Sequence, residues 1–155
     1  MPNATPRKTL AMVILALLLV FATQALAEQT RYVNPSIPND DSAAYWLDQG
    51  GLLSAYGNYP AALRAYQKAL DREPGLSEAH FGIGVALGSM GDFNDALARI
   101  DQAIAMDADN DRYHYGRGWV LTLAGRSDEA LTVLRKAGEM GSLDARMFLQ
   151  YLESK

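Results

Sequence analysis

Apolar residues recur every three to four positions through most of this chain. Leu63, Tyr66 and Leu70 fall on one face of a helix, and Leu97, Ile100 and Ile104 on one face of another. The two groups are copies of one pattern. Shifted by 34 residues, the sequence falls on itself: Gly50, Gly84 and Gly118 share a column, and so do Gly57, Gly91 and Gly125. Ala62, Ala96 and Ala130 make a third column, and Ala69, Ala103 and Ala137 a fourth. Large apolar residues align at Leu53, Leu87 and Leu121, and at Tyr66, Ile100 and Leu134. Trp46 falls with His80 and His114. Three copies, 43–76, 77–110 and 111–144, need no gap.

Each copy reads as a helix, a tight turn and a second helix. The expected pairs are 42–56 with 59–72, 77–90 with 93–106, and 110–124 with 127–139. Gly57, Gly91 and Gly125 stand where the first helix of each pair must stop, since glycine takes the left-handed conformation at little cost. Pro74, with Glu73 before it, closes the second helix of copy one. Residues 28–42 are polar with two prolines and read as a linker. Leu143, Met147, Phe148, Tyr151 and Leu152 form the apolar stripe of a last helix within 143–155, with Ser142 as its N-cap. A closing helix of this kind covers the apolar face that a stack of helix pairs leaves open. No strand pattern occurs after residue 27.

The stretch WLDQGGLLSAYGNYPAALRAYQKALDREP, from Trp46 to Pro74, resembles a tetratricopeptide repeat. Trp46, Gly50, Leu53, Gly57, Tyr59, Ala62, Tyr66, Ala69 and Pro74 fit that family's signature, and the resemblance runs from 43 to 142. It implies an all-α fold, a right-handed superhelical array of helix-turn-helix repeats (an α-solenoid). Copies two and three depart from the signature. Ala108 and Ser142 replace the closing proline, His80 and His114 replace the tryptophan, and Ser127 replaces the aromatic at Tyr59 and Phe93. The second helix of copy three is therefore expected to end less sharply.

The N-terminal segment alters the setting. Arg7 and Lys8 precede an unbroken apolar run, Leu10–Ala22, and Ala25-Leu26-Ala27 supplies small residues for cleavage before Glu28. Residues 1–27 thus read as a secretory signal peptide. The run of 13 residues is short of the roughly 20 that span a bilayer, and a retained membrane anchor is the alternative. Either way the remainder is expected to be exported, periplasmic or secreted. There is no cysteine, hence no disulfide and no acylated N-terminal cysteine. Residues 28–155 carry 12 Lys+Arg against 18 Asp+Glu, and no basic tract exceeds Arg135-Lys136. Nucleic acid is an unsuitable partner for such a chain.

Several stretches look like chemistry. Gly82-Ile83-Gly84 with Gly88 has the look of a phosphate loop, but such a loop follows a hydrophobic strand, and EPGLSEAH precedes this one. Gly50, Gly84 and Gly118 are instead expected to let Ala62, Ala96 and Ala130 of the partner helix approach. Gly82 and Gly88 lie outside those columns and are expected to open an exposed face to a partner backbone. His80 and His114 lack the further ligands of a zinc site. Asp107, Asp109 and Asp111 begin like a calcium loop, yet its sixth position is Arg112 and its twelfth Gly118. No nucleophile–base arrangement is recognisable. No cofactor, metal or catalysis is expected.

The resemblance implies a concave surface lined by the first helix of each pair. Aligned to it, the lining residues are Leu47 and Gly51, then Glu78, Phe81, Val85 and Ser89, then Arg112, Tyr115, Trp119 and Thr122. Some members of the family grip a C-terminal carboxylate there with lysines and asparagines. This lining is mostly apolar, and Arg112 is its one clear cation. An apolar and aromatic partner segment is therefore expected, with Tyr115 and Trp119 as anchors. Trp119 packed between neighbouring copies is the competing reading. The implied function is a non-catalytic interaction scaffold of the cell envelope with a protein or peptide partner, the alternative being a self-assembling homo-oligomer. Membrane contact is expected only if the N-terminal segment is retained.

Overall fold

The computed structural model describes residues 41–154. The expected signal peptide (1–27), nearly all of the linker (28–42) and Lys155 lie outside the described residues. Among the described residues there are seven α-helices and no strand: α1 (Ala43–Ala55), α2 (Tyr59–Arg72), α3 (Ser77–Met90), α4 (Phe93–Met106), α5 (Asp111–Leu123), α6 (Ser127–Glu139) and α7 (Leu143–Glu153). The first six follow the expected boundaries to within one residue at each end.

Local chemistry places the ends. Ser42, Asn58 and Ser142 accept hydrogen bonds from the amides of Tyr45, Ala61 and Ala145 at the starts of α1, α2 and α7. Gly57, Gly91 and Gly125 take φ of 72°, 92° and 74° and turn the chain from the first helix of each pair into the second. The expected loose end of α6 is corrected by a fourth such residue. Gly141, at φ 118°, stops that helix where the proline is missing, and Ser142 begins the next.

α1 packs on α2, α3 on α4 and α5 on α6, and the pairs join through α2–α3 and α4–α5. α1, α3 and α5 also touch in sequence and form one layer of the solenoid, while α7 packs on α6. The alanine columns lie at the centre: Ala62, Ala69, Ala96, Ala103, Ala130 and Ala137 have no exposed surface. Ile100 and Leu134 are equally buried, each removing apolar surface worth roughly 1.5–3 kcal/mol from water.

The glycine columns do the expected job with a different partner. A Cβ on Gly50, Gly84 or Gly118 would stand 2.5, 2.5 and 2.6 Å from the side chains of Tyr66, Ile100 and Leu134. The large residue one turn beyond each alanine therefore fills the space a side chain would take. In the middle copy the alanine also comes close, the Ala96 carbonyl oxygen lying 2.9 Å from the Gly84 position. Gly82 and Gly88 correct the expectation outright. Both are buried; the first lies under the ring of Tyr66 and the second against Val120 and Trp119. They admit neighbouring side chains rather than a partner backbone. The Gly82 column continues at Gly116, which lies under Phe81.

The residues of the Trp46 column latch their helices to the segments that precede them. His80 and His114 are buried, and each places Nε2 at the carbonyl of the sixth residue before it: Pro74 at 3.4 Å and Ala108 at 2.9 Å. Trp46 donates its indole N–H to Asp41, whose carboxylate also pairs with Arg72. Those two hydrogen bonds, the Arg72 one first, hold the Asp41 carboxyl below its usual range. The contribution of this latch is complete above the unfolded carboxyl value of about 3.9 and is lost as pH falls through the lower folded value. Acid titration followed by NMR is expected to shift the Trp46 indole proton below the normal Asp range. A flat indole signal in the wild type, or the same step in Asp41→Asn, would refute the latch.

Candidate functional site

Helical spacing brings five predicted residues together. Phe81 and Val85 lie one turn apart on α3, and Arg112, Tyr115 and Trp119 follow each other by three and four on α5. With Gly116 and Asp144 they surround an open hollow of about 310 Å³. Phe81 is only 6% exposed and forms the floor, its ring tilted against Tyr113 at 4.9 Å between centroids. The guanidinium of Arg112 stands 5.0 Å from the Phe81 ring centre, a cation–π contact that leaves the head group at the rim.

Tyr115 meets Phe148 of α7 edge-on at 6.2 Å. Burial, and then the neighbouring Asp144 carboxylate, push its phenol above the usual value, so it stays a neutral hydrogen-bonding group at physiological pH. Trp119 does both jobs that were weighed for it. It packs against the main core cluster, its Cζ3 lying 3.5 Å from where Gly88 would carry a Cβ, and it also lines the hollow.

Five predicted residues do not line the hollow. Leu47 is partly buried against the Ala62, Tyr66 and Ile83 cluster, and Thr122 turns its hydroxyl back to the Gly118 carbonyl at 2.9 Å. Gly51 and Glu78 are exposed, and Ser89 bonds back to the Val85 carbonyl. Asp144 was not anticipated, because the strict 34-residue register gives α7 no place in the inner layer. A larger hollow of about 440 Å³, between α2 and α4 over Ile83 and Leu87, contains none of the predicted residues and has no aromatic wall. Among the described residues no three His, Cys, Asp or Glu side chains group as metal ligands, and no helix is long and apolar enough to cross a membrane.

The tetratricopeptide repeat family model matches residues 53–120 and 89–149. The chain belongs to the tetratricopeptide repeat family. A human relative, tetratricopeptide repeat protein 13, is 31% identical over 119 residues, which is 74% of this chain but 14% of that protein. The second tetratricopeptide repeat domain of human RPAP3, solved in complex with the HSP70 peptide SGPTIEEVD, has a TM-score of 0.64 at 20% identity. That match covers 73% of this chain and 96% of the solved one. The tetratricopeptide repeat domain of Arabidopsis OM64 gives 0.66 at 17% identity, covering 72% and 94%. The first such domain of Spaghetti (RPAP3), bound to the HSP90 peptide SRMEEVD, gives 0.64 at 18%, covering 72% and 90%. At these identities the structural matches establish the fold, an all-α helical repeat solenoid. In this tetratricopeptide repeat chain the inner layer is α1, α3 and α5, and the hollow described above opens on it.

Proposed function

We propose that this protein is an exported, non-catalytic adaptor that holds a peptide or helix of another envelope protein against the inner layer of α3 and α5. One observation carries the reading: Phe81, Tyr115 and Trp119 converge with Val85 and Arg112 on one open hollow. Aromatic residues placed this way dominate binding energy, because they bury large area at small cost in side-chain freedom. Related folds solved with HSP70 and HSP90 peptides support a peptide-sized occupant. Export rests on the segment from Arg7 to Ala27; recovery of the protein outside the cytoplasm with Glu28 as its first residue supports cleavage, and a cytoplasmic pool alone refutes export.

The test is co-purification from cross-linked cells, with the partner identified and then bound to purified full-length protein. Tyr115→Ala with Trp119→Ala is expected to lower affinity at least about tenfold, the size of a single interface anchor. Because Trp119 also supports the core, Tyr115→Ala alone serves as the second variant, with far-UV circular dichroism unchanged. Undiminished binding by both variants refutes the groove.

A further inference from the structure

The closing helix does more than close. Leu143, Met147 and Tyr151 follow each other at one-turn spacing along α7 and remain 64%, 62% and 55% exposed. This corrects the expectation that the whole stripe packs inward. Ala145, Phe148, Leu149 and Leu152 supply the packing against α6 and Tyr115. What the outward-facing residues are for follows from the phase of the helix.

α3 begins at Ser77, α5 at Asp111 and α7 at Leu143, two residues short of a full period. With that offset α7 repeats the pattern of the inner helices. Ala145 is fully buried where α3 has Ala79 and α5 has Tyr113, both likewise buried. Phe148 lies against Tyr115 as Gly116 lies against Phe81. Arg146, in the column of His114, also bonds back to the preceding turn, at the Gly141 carbonyl at 3.2 Å, five residues before it where His114 reaches six. In the same phase Met147 and Tyr151 fall in the columns of Tyr115 and Trp119, and Asp144 in the column of Glu78 and Arg112. The side on which the first helix of a pair receives its partner carries Arg146, Gln150 and Glu153, all exposed and polar, as the outer face of a capping unit requires. Met147 and Tyr151 therefore continue the columns of Tyr115 and Trp119, which line the hollow.

The charges of the groove lie in one column, which reads Ala44, Glu78, Arg112 and Asp144. Its single cation already rests on the Phe81 ring. Asp144 lines the hollow and Glu78 is exposed one turn before Phe81 on α3, so the column holds two carboxylates against one guanidinium, in a chain whose net charge is −4. An acidic tail meets repulsion here; a basic one meets complementary charge and is steered toward the site.

Building on the groove reading above, we propose that α7 is a further wall of the groove, and that Glu78 and Asp144 select an amphipathic partner segment bearing lysine or arginine beside its apolar residues. Two synthetic peptides test this. Both have leucine and phenylalanine at helical spacing; one carries lysine and the other glutamate at the remaining positions. Binding to the full-length protein is measured by titration calorimetry at low salt. The lysine peptide is expected to bind at least about tenfold tighter, a preference that shrinks with added salt. Glu78→Lys with Asp144→Lys is expected to reverse it, and the milder Asp144→Asn to reduce it. Met147→Ser with Tyr151→Ser is expected to weaken binding without loss of helicity.

If both peptides bind equally, or the preference survives the charge reversal, the selection is wrong while the groove stands. If Met147→Ser with Tyr151→Ser binds as well as wild type, α7 is not a wall. If neither peptide binds, the groove itself falls and this inference with it.

Discussion

Tyr113→Ala is expected to lower the unfolding free energy by about 4 kcal/mol, the range for truncating a fully buried large ring. Tyr113 is 1% exposed and belongs to the cluster that joins the α3–α4 pair to the α5–α6 pair. Its ring packs on Phe81, and its hydroxyl lies 3.1 Å from that of Ser77 on α3. A domain of this size has only about 5–15 kcal/mol in total, so the variant stands near its limit. In a stack where each unit touches only its neighbours, the loss falls on one junction, and urea unfolding is expected to separate into two steps. Tyr113→Phe keeps the ring and is expected to lose only about 1 kcal/mol, the net value of a hydrogen bond. An alanine variant within about 1 kcal/mol of wild type, on the scale of a single hydrogen bond, would contradict this packing.

Alanine at two of the glycines is expected to act with opposite signs. Gly84→Ala is expected to destabilise by about 2 kcal/mol and Gly51→Ala to stabilise by about 1 kcal/mol. Both gain helix propensity, since alanine is favoured over glycine by roughly 1 kcal/mol inside a helix. Only one has room. At Gly84 the new methyl would stand 2.5 Å from Ile100 Cγ1, 2.9 Å from the Ala96 carbonyl oxygen and 3.2 Å from the Ile100 amide nitrogen. Two of those three atoms are backbone, so α3 and α4 would have to move apart. At Gly51 nothing lies within 4 Å. Urea midpoints of the two variants, compared at equal slope, decide the matter; equal shifts in the same direction would contradict the close approach at Gly84.

Much of this was legible before any coordinates. The Gly57, Gly91 and Gly125 column located three turns, since a left-handed residue after a helix is a local requirement that a sequence states directly. The alanine columns named the centre of the core for a similar reason: a position with no space accepts only a small residue. Five of the ten proposed groove residues share the hollow, because residues three or four apart share a helix face whatever surrounds it. Leu47, Gly51, Glu78, Ser89 and Thr122 do not, because a residue at the edge of a helix face is directed by the packing of its neighbours.

What the chain alone determined was periodic and local: a 34-residue unit, its helix boundaries, and the positions that must stay small. The tertiary structure decided what depends on the relative placement of units. It buried Gly82 and Gly88 beneath neighbouring side chains, and it set Tyr66, Ile100 and Leu134 nearest to the glycine column. It also set α7 in phase with the inner helices across a shortened turn, which a fixed period cannot express. Backbone preference acts within a few residues and leaves its mark on the sequence. Close packing between helices is settled by volumes from separate segments, and those meet only in the fold.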